Sequence, residues 1–320
     1  MVKLFKAEPM TFTPFAEERD LEAFKTRDIY VIDDVSHCDI VISRKLKPLW
    51  KFRLKFGARK KFLVWTHEPR YNMNFKSRMC GSLWLPDVMI MNTYTGDTFL
   101  DNYIYLLWKS GDRKYEPIPH LNNDFSALTH RKIVAMMTFK DNYNQKRWSV
   151  KKDKEELDLI YLRTQIAALG YEKGIVDIYG KGWPEGISLG NSRDKNWCSN
   201  KKKVLENYHF NLCFENTNIE YYCTEKIWDS IQSYCLPIYY GKGNAIYKDF
   251  PRDSFLDYAD FENPNELFSY INQMSVKEFR ERLNACIEVM NMVLESDRPE
   301  KSWERRLEHT TKRLKEIAHS

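Results

Sequence analysis

An α/β fold in two domains follows from three features of the sequence. The chain has 320 residues, more than the ~100–200 that one core usually serves. Short runs rich in Val and Ile recur along it and read as buried strands. In the second half these runs alternate with helical patterns, the order expected of a parallel sheet wrapped by helices.

The elements follow in chain order. DIYVID, CDIVIS, KFLVWT and DVMIMN are the strands of the first portion, joined by segments with weak helix signals. GDRKYEPIPHLNNDF, rich in Pro, Asn and Asp, marks the domain boundary. Beyond it KIVAMMTF reads as a strand, and KDKEELDLIYLRTQIAALG as a helix stopped by Gly170. VDIYG, the end of NYHFNLCFEN, and LPIYYG are further strands. TEKIWDSIQSY is helical, with Ile227, Trp228, Ile231 and Tyr234 on one face. From about Pro264 the pattern is helical throughout. The domains therefore run 1–127 and 128–295, with 296–320 a C-terminal basic amphipathic helix carrying Trp303, Leu307, Leu314 and Ile317 along one side. That helix is expected to pack on the protein with its basic face solvated; peripheral contact with an anionic membrane is the second reading. In parallel sheets ligands sit beyond the carboxyl ends of the strands. Chemistry is thus expected in the turns after FLVWT, AMMTF, VDIYG and LCFEN.

Composition narrows the function classes. A formal charge of +5, spread along the chain without an arginine-rich arm or zinc-finger spacing, argues against nucleic acid. It suits a small anionic ligand held by a few placed cations. The 19 Tyr, 18 Phe and 9 Trp are read first as a ring-rich core. Seven cysteines, an odd number without C-x-x-C spacing and several in apolar stretches, read as reduced, buried thiols. The N-terminal MVKLFKAEPMTF lacks the apolar run of a signal peptide, and no stretch approaches the ~20 apolar residues of a membrane span. A cytoplasmic location is expected, with room for contact at a membrane surface.

The most informative stretch is FENTNIEYYCTEKIWDS. Glu215 and Asn216 end a strand, and Thr224 can cap the next helix. Glu225 suits the positive end of that helix, whereas Lys226 opposes its dipole. A bound anion would reverse the argument, because helix amides and a lysine facing a diphosphate stabilise each other. On the lysine alone, a solvated side chain is the plainer reading. His209 and Cys213 have a ligand-like spacing but share a strand face with core residues, so zinc is not expected there.

FNLCFENTNIEYYCTEKIWDSIQSYCLPIYYG followed by KDFPRDSFLDYADF, in a stretch of roughly residues 208–261 in continuous order, resembles the α1,3/4-fucosyltransferases of glycosyltransferase family 10, most of all the soluble bacterial members. Looser similarity links KIVAMMTF and YLRTQIAALG to the family's strand and Arg-bearing helix, and VWTHEP to the segment with its proposed base. The resemblance implies a GT-B fold, two Rossmann-like domains with parallel sheets facing across a cleft. The first domain would bind the acceptor and carry the base, and the second would bind GDP-fucose. It implies inverting transfer of L-fucose to a hydroxyl, O3 foremost, of an oligosaccharide acceptor containing N-acetylglucosamine. Carried over, Arg163 and Lys226 would hold the diphosphate and Glu225 the ribose hydroxyls. Asn216 and Tyr222 would line the phosphate and fucose region, with Glu215 nearby, and Glu68 would be the general base. Tyr234 departs from the family, where many members have Gly, and is read as lying in the helix body.

The chemistry is consistent with these roles. Charge grows on a departing nucleotide diphosphate and needs a metal or fixed cations; an arginine fork and a lysine at a helix N-terminus can supply them. The sequence has no D-x-D triplet, so no metal site and no tightly bound cofactor are expected, and a divalent ion is left a stimulatory role. Glu68 follows a strand, where one carboxylate suffices to take the acceptor proton in a single displacement; His67 is the runner-up. Arg163 on its own reads as a solvated helix arginine. Two alternatives stand: a transferase using another GDP-sugar, and a non-catalytic glycan-binding module of the same fold. Release of GDP in the presence of acceptor separates the second from an enzyme.

Overall fold

The structure is a computed structural model that describes residues 1–71, 75–82, 84–107, 114–139, 149–191 and 197–320. By contact it divides into Met1–Leu100 with Glu300–Ser320, and Asp101–Pro299. The second unit is thus inserted in the sequence of the first.

The first unit holds β1 (Val2–Lys6), α1 (Glu18–Lys25), β2 (Ile29–Val31), β3 (Ile40–Ser43), α2 (Leu46–Phe56), β4 (Lys61–Trp65), β5 (Arg78–Met79) and β6 (Val88–Met91). The sheet order is β2-β1-β3-β4-β6-β5, parallel except for β5. Four of these strands coincide with the runs read from sequence. The central β1 was not read as a strand, yet Val2 and Leu4 are buried, and Leu4 pairs with Val31 of β2 and Ile40 of β3. Every residue of β3 is buried, which explains its unbroken apolar run.

The second unit holds α3 (Ile104–Leu107), β7 (Ile133–Met136), β8 (Lys151–Lys152), β9 (Glu155–Glu156), α4 (Ile160–Glu172), β10 (Val176–Tyr179), α5 (Trp197–Leu205), β11 (Phe210–Leu212), α6 (Glu225–Gln232), β12 (Leu236–Tyr239), β13 (Leu256–Asp257), α7 (Pro264–Gln273) and α8 (Val276–Leu294). Its main sheet, β10-β7-β11-β12-β13, is parallel throughout. From β7 the chain steps through α4 to β10 on one side, then places β11 on the other. The strand order therefore reverses between β7 and β11, and the crevice beyond their carboxyl ends is the topological switch point. The α/β class and the two Rossmann-like parallel sheets are as the sequence led one to expect. Last comes α9 (Arg298–His319), which from Glu300 onward belongs to the first unit. Leu307, Leu314 and Ile317 are buried, and Asp20 holds Trp303 Nε1 (2.9 Å) and Arg306 (3.3 Å). Among the described residues no helix is long and apolar enough to cross a membrane.

Four local readings are corrected. Residues 101–127 go with the second unit. Asn284 and Asn291, seven apart on α8, bond the backbone of Leu121 and Ile118 in both directions at 2.8–3.0 Å, so that extended segment is a strap on α8; the first three residues of the GDRKYEP stretch lie outside the described residues. KDKEE is not helical: β8 and β9 pair across Asp153 (φ 50°) and Lys154 (φ 73°), the left-handed pair of a two-residue hairpin turn. Gly170 does not stop α4. The helix ends in a Schellman motif, with Gly174 (φ 70°) donating to Tyr171 O and Ile175 to Gly170 O. Tyr234 lies past the end of α6 in the equivalent left-handed position (φ 55°), with Tyr234 N on Ile231 O and Cys235 N on Ser230 O. Glycine suits that backbone; here the Tyr234 hydroxyl donates to Pro119 O at 3.0 Å.

Gly170 instead allows close packing. A Cβ there would lie 2.2 Å from Val176 Cγ2 and 3.0 Å from Phe268 Cζ. Gly170→Ala is therefore expected to cost about 1–3 kcal/mol through overpacking, despite alanine's better helix propensity, and to lower the melting temperature followed by circular dichroism. An unchanged or raised melting temperature would show that Val176 and Phe268 yield without cost.

Candidate functional site

The site in the second unit is built at the switch crevice. Beyond β11 the chain runs Cys213-Phe214-Glu215-Asn216. The Glu215 side chain turns inward and is 2% exposed. A buried carboxylate must be fully hydrogen-bonded, and its donors come from the start of α6. Oε1 accepts from Thr224 N (2.7 Å) and Thr224 Oγ1 (2.7 Å), and Oε2 from Lys226 Nζ (2.8 Å). Lys226 Nζ also donates to Thr224 Oγ1 at 2.6 Å. A strand end and a helix start are thus tied through three side chains. Thr224 does not cap α6 with its side chain; its hydroxyl is spent on Glu215.

This arrangement changes the reading of Lys226. The solvated lysine is ruled out: its side chain is 25% exposed and pairs with Glu215 at 2.8 Å and Glu225 at 3.7 Å. Burial pulls the ammonium pKa down, but the carboxylates of Glu215 and Glu225 outweigh it and leave the pKa above that of an ordinary lysine, with Arg163 opposing. Lys226 is a fixed, permanently charged group at a helix N-terminus. The misfit with the helix dipole is answered inside the protein by two acids.

Arg163 arrives from the first turn of α4, and its Nη1 donates to Phe214 O at 2.9 Å. The α4 start is held against the same loop. Asp158 accepts from Ile160 N and Tyr161 N (3.1 and 3.0 Å), Leu159 N donates to Asn216 O (3.2 Å), and Asp158 bridges Thr217. Asn216 Nδ2 lies 3.4 Å from Tyr222 OH and its Oδ1 accepts from Thr217 Oγ1 at 2.8 Å. Residues 216–224 are pinned to the loop after β12. Asn218 donates to Lys242 O (2.7 Å), Asn244 to Asn218 Oδ1 (3.0 Å), and Lys248 Nζ to Tyr221 OH (2.5 Å). The sequence reading missed Thr224 as a linker and Asn218, Asn244 and Lys248 as supports. Only the polar bias of those loops hinted at them.

Six of the seven residues selected from sequence, Arg163, Glu215, Asn216, Tyr222, Glu225 and Lys226, therefore belong to one constellation in the second unit. Glu68 is in the first unit, in the turn after β4. Its backbone is fixed, with Glu68 N donating to Thr66 Oγ1 (3.2 Å) and Glu68 O accepting from Asn92 Nδ2 (2.8 Å), while the residue is exposed. His67 packs on Trp65 and Phe99, with ring centroids 4.5 and 5.1 Å away. Burial, then the Arg306 charge, pushes its pKa down to about 3. An imidazole so hard to protonate is a poor proton acceptor. Among the described residues the cysteines form no disulfide, and Cys38, Cys213, Cys223, Cys235 and Cys286 are buried. Cys213 donates to Ile238 O, and burial pushes its thiol up to about 12, the condition of an inert core thiol.

Two cations held by fixed partners at a helix N-terminus make a site for an anion with two charged groups. Glu225 beside them can accept from hydroxyls. Comparisons with known proteins bear on this site. Residues 148–282 match the family model of glycosyltransferase family 10 (fucosyltransferase), C-terminal part. The chain is 45% identical to the α-(1,3)-fucosyltransferase FucT of Helicobacter pylori over 75 residues, 23% of this chain and 16% of that one. It is 28% identical to an α-(1,4)-fucosyltransferase of Arabidopsis thaliana over 186 residues, 58% of this chain and 40% of the relative. It thus spans less than half the length of either relative. A crystal structure of an α1,3-fucosyltransferase with GDP-fucose aligns over 88% of this chain and 81% of its own, at 20% identity and a TM-score of 0.44.

The three-residue tie gives a stability prediction. Lys226→Met leaves the buried Glu215 carboxylate without its counter-ion, a loss on the order of 3 kcal/mol. The double variant Glu215→Gln/Lys226→Met should recover most of it in urea unfolding. A double variant no more stable than the single one would mean that the ammonium and carboxylate are not coupled.

Proposed function

We propose, from the match of residues 148–282 to the family 10 fucosyltransferase C-terminal model, that this chain transfers L-fucose from GDP-fucose to O3 of an N-acetylglucosamine-containing glycan with inversion. The observation that carries the reading is the Glu215–Thr224–Lys226 tie beside Glu225 and Arg163 at the switch crevice. In this reading the second unit binds the donor and the first presents the acceptor to Glu68. Lys226 and Arg163 neutralise the diphosphate, whose charge rises as the glycosidic bond breaks, so they favour the transition state over the bound donor. Glu225 accepts from the ribose hydroxyls. Asn216 and Tyr222 border the phosphate and fucose. The attacking hydroxyl gives its proton to Glu68 as it strikes the anomeric carbon from the face opposite GDP. Cations fixed by the protein take the charge that a metal would otherwise take. Buried thiols outside any disulfide, such as Cys213 and Cys235, support a location in a reducing compartment such as the cytoplasm.

Ligand-induced stabilisation tests the donor assignment. GDP at about 100 times its Kd should add about 2.7 kcal/mol to stability, and UDP at equal concentration much less. Equal shifts would contradict a guanosine-specific site, and a GDP effect without fucose transfer would favour another GDP-sugar. Arg163→Lys should weaken GDP binding and slow turnover together, since a point charge cannot replace a bidentate fork.

The base assignment has its own test. Glu68→Gln should lower kcat by about 10²–10⁴ with GDP affinity almost unchanged. His67 stays neutral above pH ~3, so His67→Gln should leave the shape of the pH–rate profile between pH 5 and neutral pH unchanged. A changed profile in His67→Gln, or full activity of Glu68→Gln, would move the base away from Glu68.

A further inference from the structure

The strongest feature outside the donor and base positions is a run of cations around α2. The positive charge is not spread evenly as the sequence reading had it: residues 44–61, RKLKPLWKFRLKFGARKK, contain nine Lys and Arg and no Asp or Glu. The whole chain carries only +5, so the rest of it is net acidic. Arg53 is buried with its guanidinium on Pro86 O, and Lys60 is spent on Ser36 O and Cys38 O. The outward stripe of α2 is different. Lys47, Trp50, Lys51, Leu54 and Lys55, spaced as one helical face, are all exposed. Trp50 is 44% and Leu54 69% exposed, while Leu49 is fully buried on the other side.

This face is unfavourable for a helix facing only water. Lys47, Lys51 and Lys55 follow one another at i, i+4, where like charges repel, and Lys47 adds a cation to a first turn that has no acid. Lys45, Lys47, Lys51 and Lys55 form no ion pair among the described residues. A Trp and a Leu one turn apart, edged by lysines, gain from insertion at the boundary between headgroups and acyl chains, and lysines at that level gain from anionic headgroups. A nucleic-acid backbone would use the charges but leave Leu54 without a role. We propose that the outward face of α2 docks the chain on an anionic lipid surface, with Trp50 and Leu54 inserted and Lys47, Lys51 and Lys55 on the headgroups.

The C-terminal helix does not offer such a face. In α9 the apolar side is buried, and acids alternate with the bases, several of them paired, as in Arg313–Glu316 and Arg306–Asp20. Membrane contact thus moves from the helix suggested by sequence to α2.

The full chain should co-sediment with vesicles of phosphatidylcholine mixed equally with phosphatidylglycerol, and not with phosphatidylcholine alone. Replacing Lys47, Lys51 and Lys55 by Gln should weaken the vesicle partition on the order of 100-fold, about fivefold for each lysine. Trp50→Ser/Leu54→Ser should leave only binding that added salt abolishes. Lys312→Gln/Lys315→Gln on α9 should bind like the parent. Circular dichroism melting confirms that each variant is folded, since every changed side chain is on the surface or its edge. The proposal is overturned by no binding to the anionic vesicles, by equal binding to both vesicles, or by triple-variant binding equal to the parent. It is also overturned if the α9 variant is the one that loses binding, or if a DNA duplex binds as tightly through the same lysines.

Discussion

The architecture of the second unit depends on one buried carboxylate. Glu215 leaves the end of β11 and is taken into the protein interior, where charge without partners is costly. Its partners come from a segment nine residues away, Thr224 and, two residues on, Lys226. Closing this contact fixes where α6 begins, turns its first amides toward the switch crevice, and forces the intervening residues into a compact loop with Tyr221 in a left-handed conformation. Ile227, Trp228 and Ile231 then bury the other face of the helix, so the polar tie and the apolar core set the same orientation. The lysine gains from being held: it loses side-chain freedom on folding rather than on binding, the condition for preorganised electrostatics.

The same loop recruits α4. Asn216 O takes Leu159 N, Phe214 O takes Arg163, and Asp158 caps the helix while bridging Thr217. The guanidinium is therefore positioned by backbone that Glu215 has already placed. Two helices thus start at one crevice, each bringing a cation, and their positive dipole ends add to the effect. Glu225 and Glu215 balance the two cations. In this arrangement geometry and hydrogen bonding, more than excess charge, must select an anionic ligand.

Much of this was legible in sequence, because strands buried on both faces leave unmistakable Val and Ile runs. β3, β4, β6, β7 and β12 fall where those runs are. β1 was not legible, since Lys3 and Lys6 break a five-residue stretch whose burial comes from neighbours distant in sequence. The hairpin at 151–156 was lost because its acids and lysines also fit a helix surface. At Gly170 the lack of a Cβ serves packing against Val176, a fact of tertiary structure that a stop signal imitates. Tyr234 shows the converse, a bulky residue in the left-handed position after α6. Within the site, Lys226, Glu225 and Arg163 were picked out by the resemblance of their segments to a known family; read alone, Lys226 and Arg163 looked like solvated side chains. That Lys226 is buried and paired, and that Thr224 links it to Glu215, depends on a strand end meeting a helix start, which no local pattern encodes. The sequence ranked Glu68 above His67 by resemblance alone; the packing of His67 on Trp65 and Phe99 adds a physical reason.

Calorimetric titration of GDP into the Glu215→Gln variant tests the central claim most directly, because two physical pictures give opposite signs. If Glu215 acts only as a negative charge beside a negative ligand, its removal relieves repulsion and tightens binding. If it holds Lys226 and the first turn of α6 in place, its removal loosens both, and GDP should bind about tenfold or more weakly, a loss of ~1.4 kcal/mol or greater. Weaker binding by a variant that melts cooperatively is the predicted result; equal or tighter binding would contradict the account.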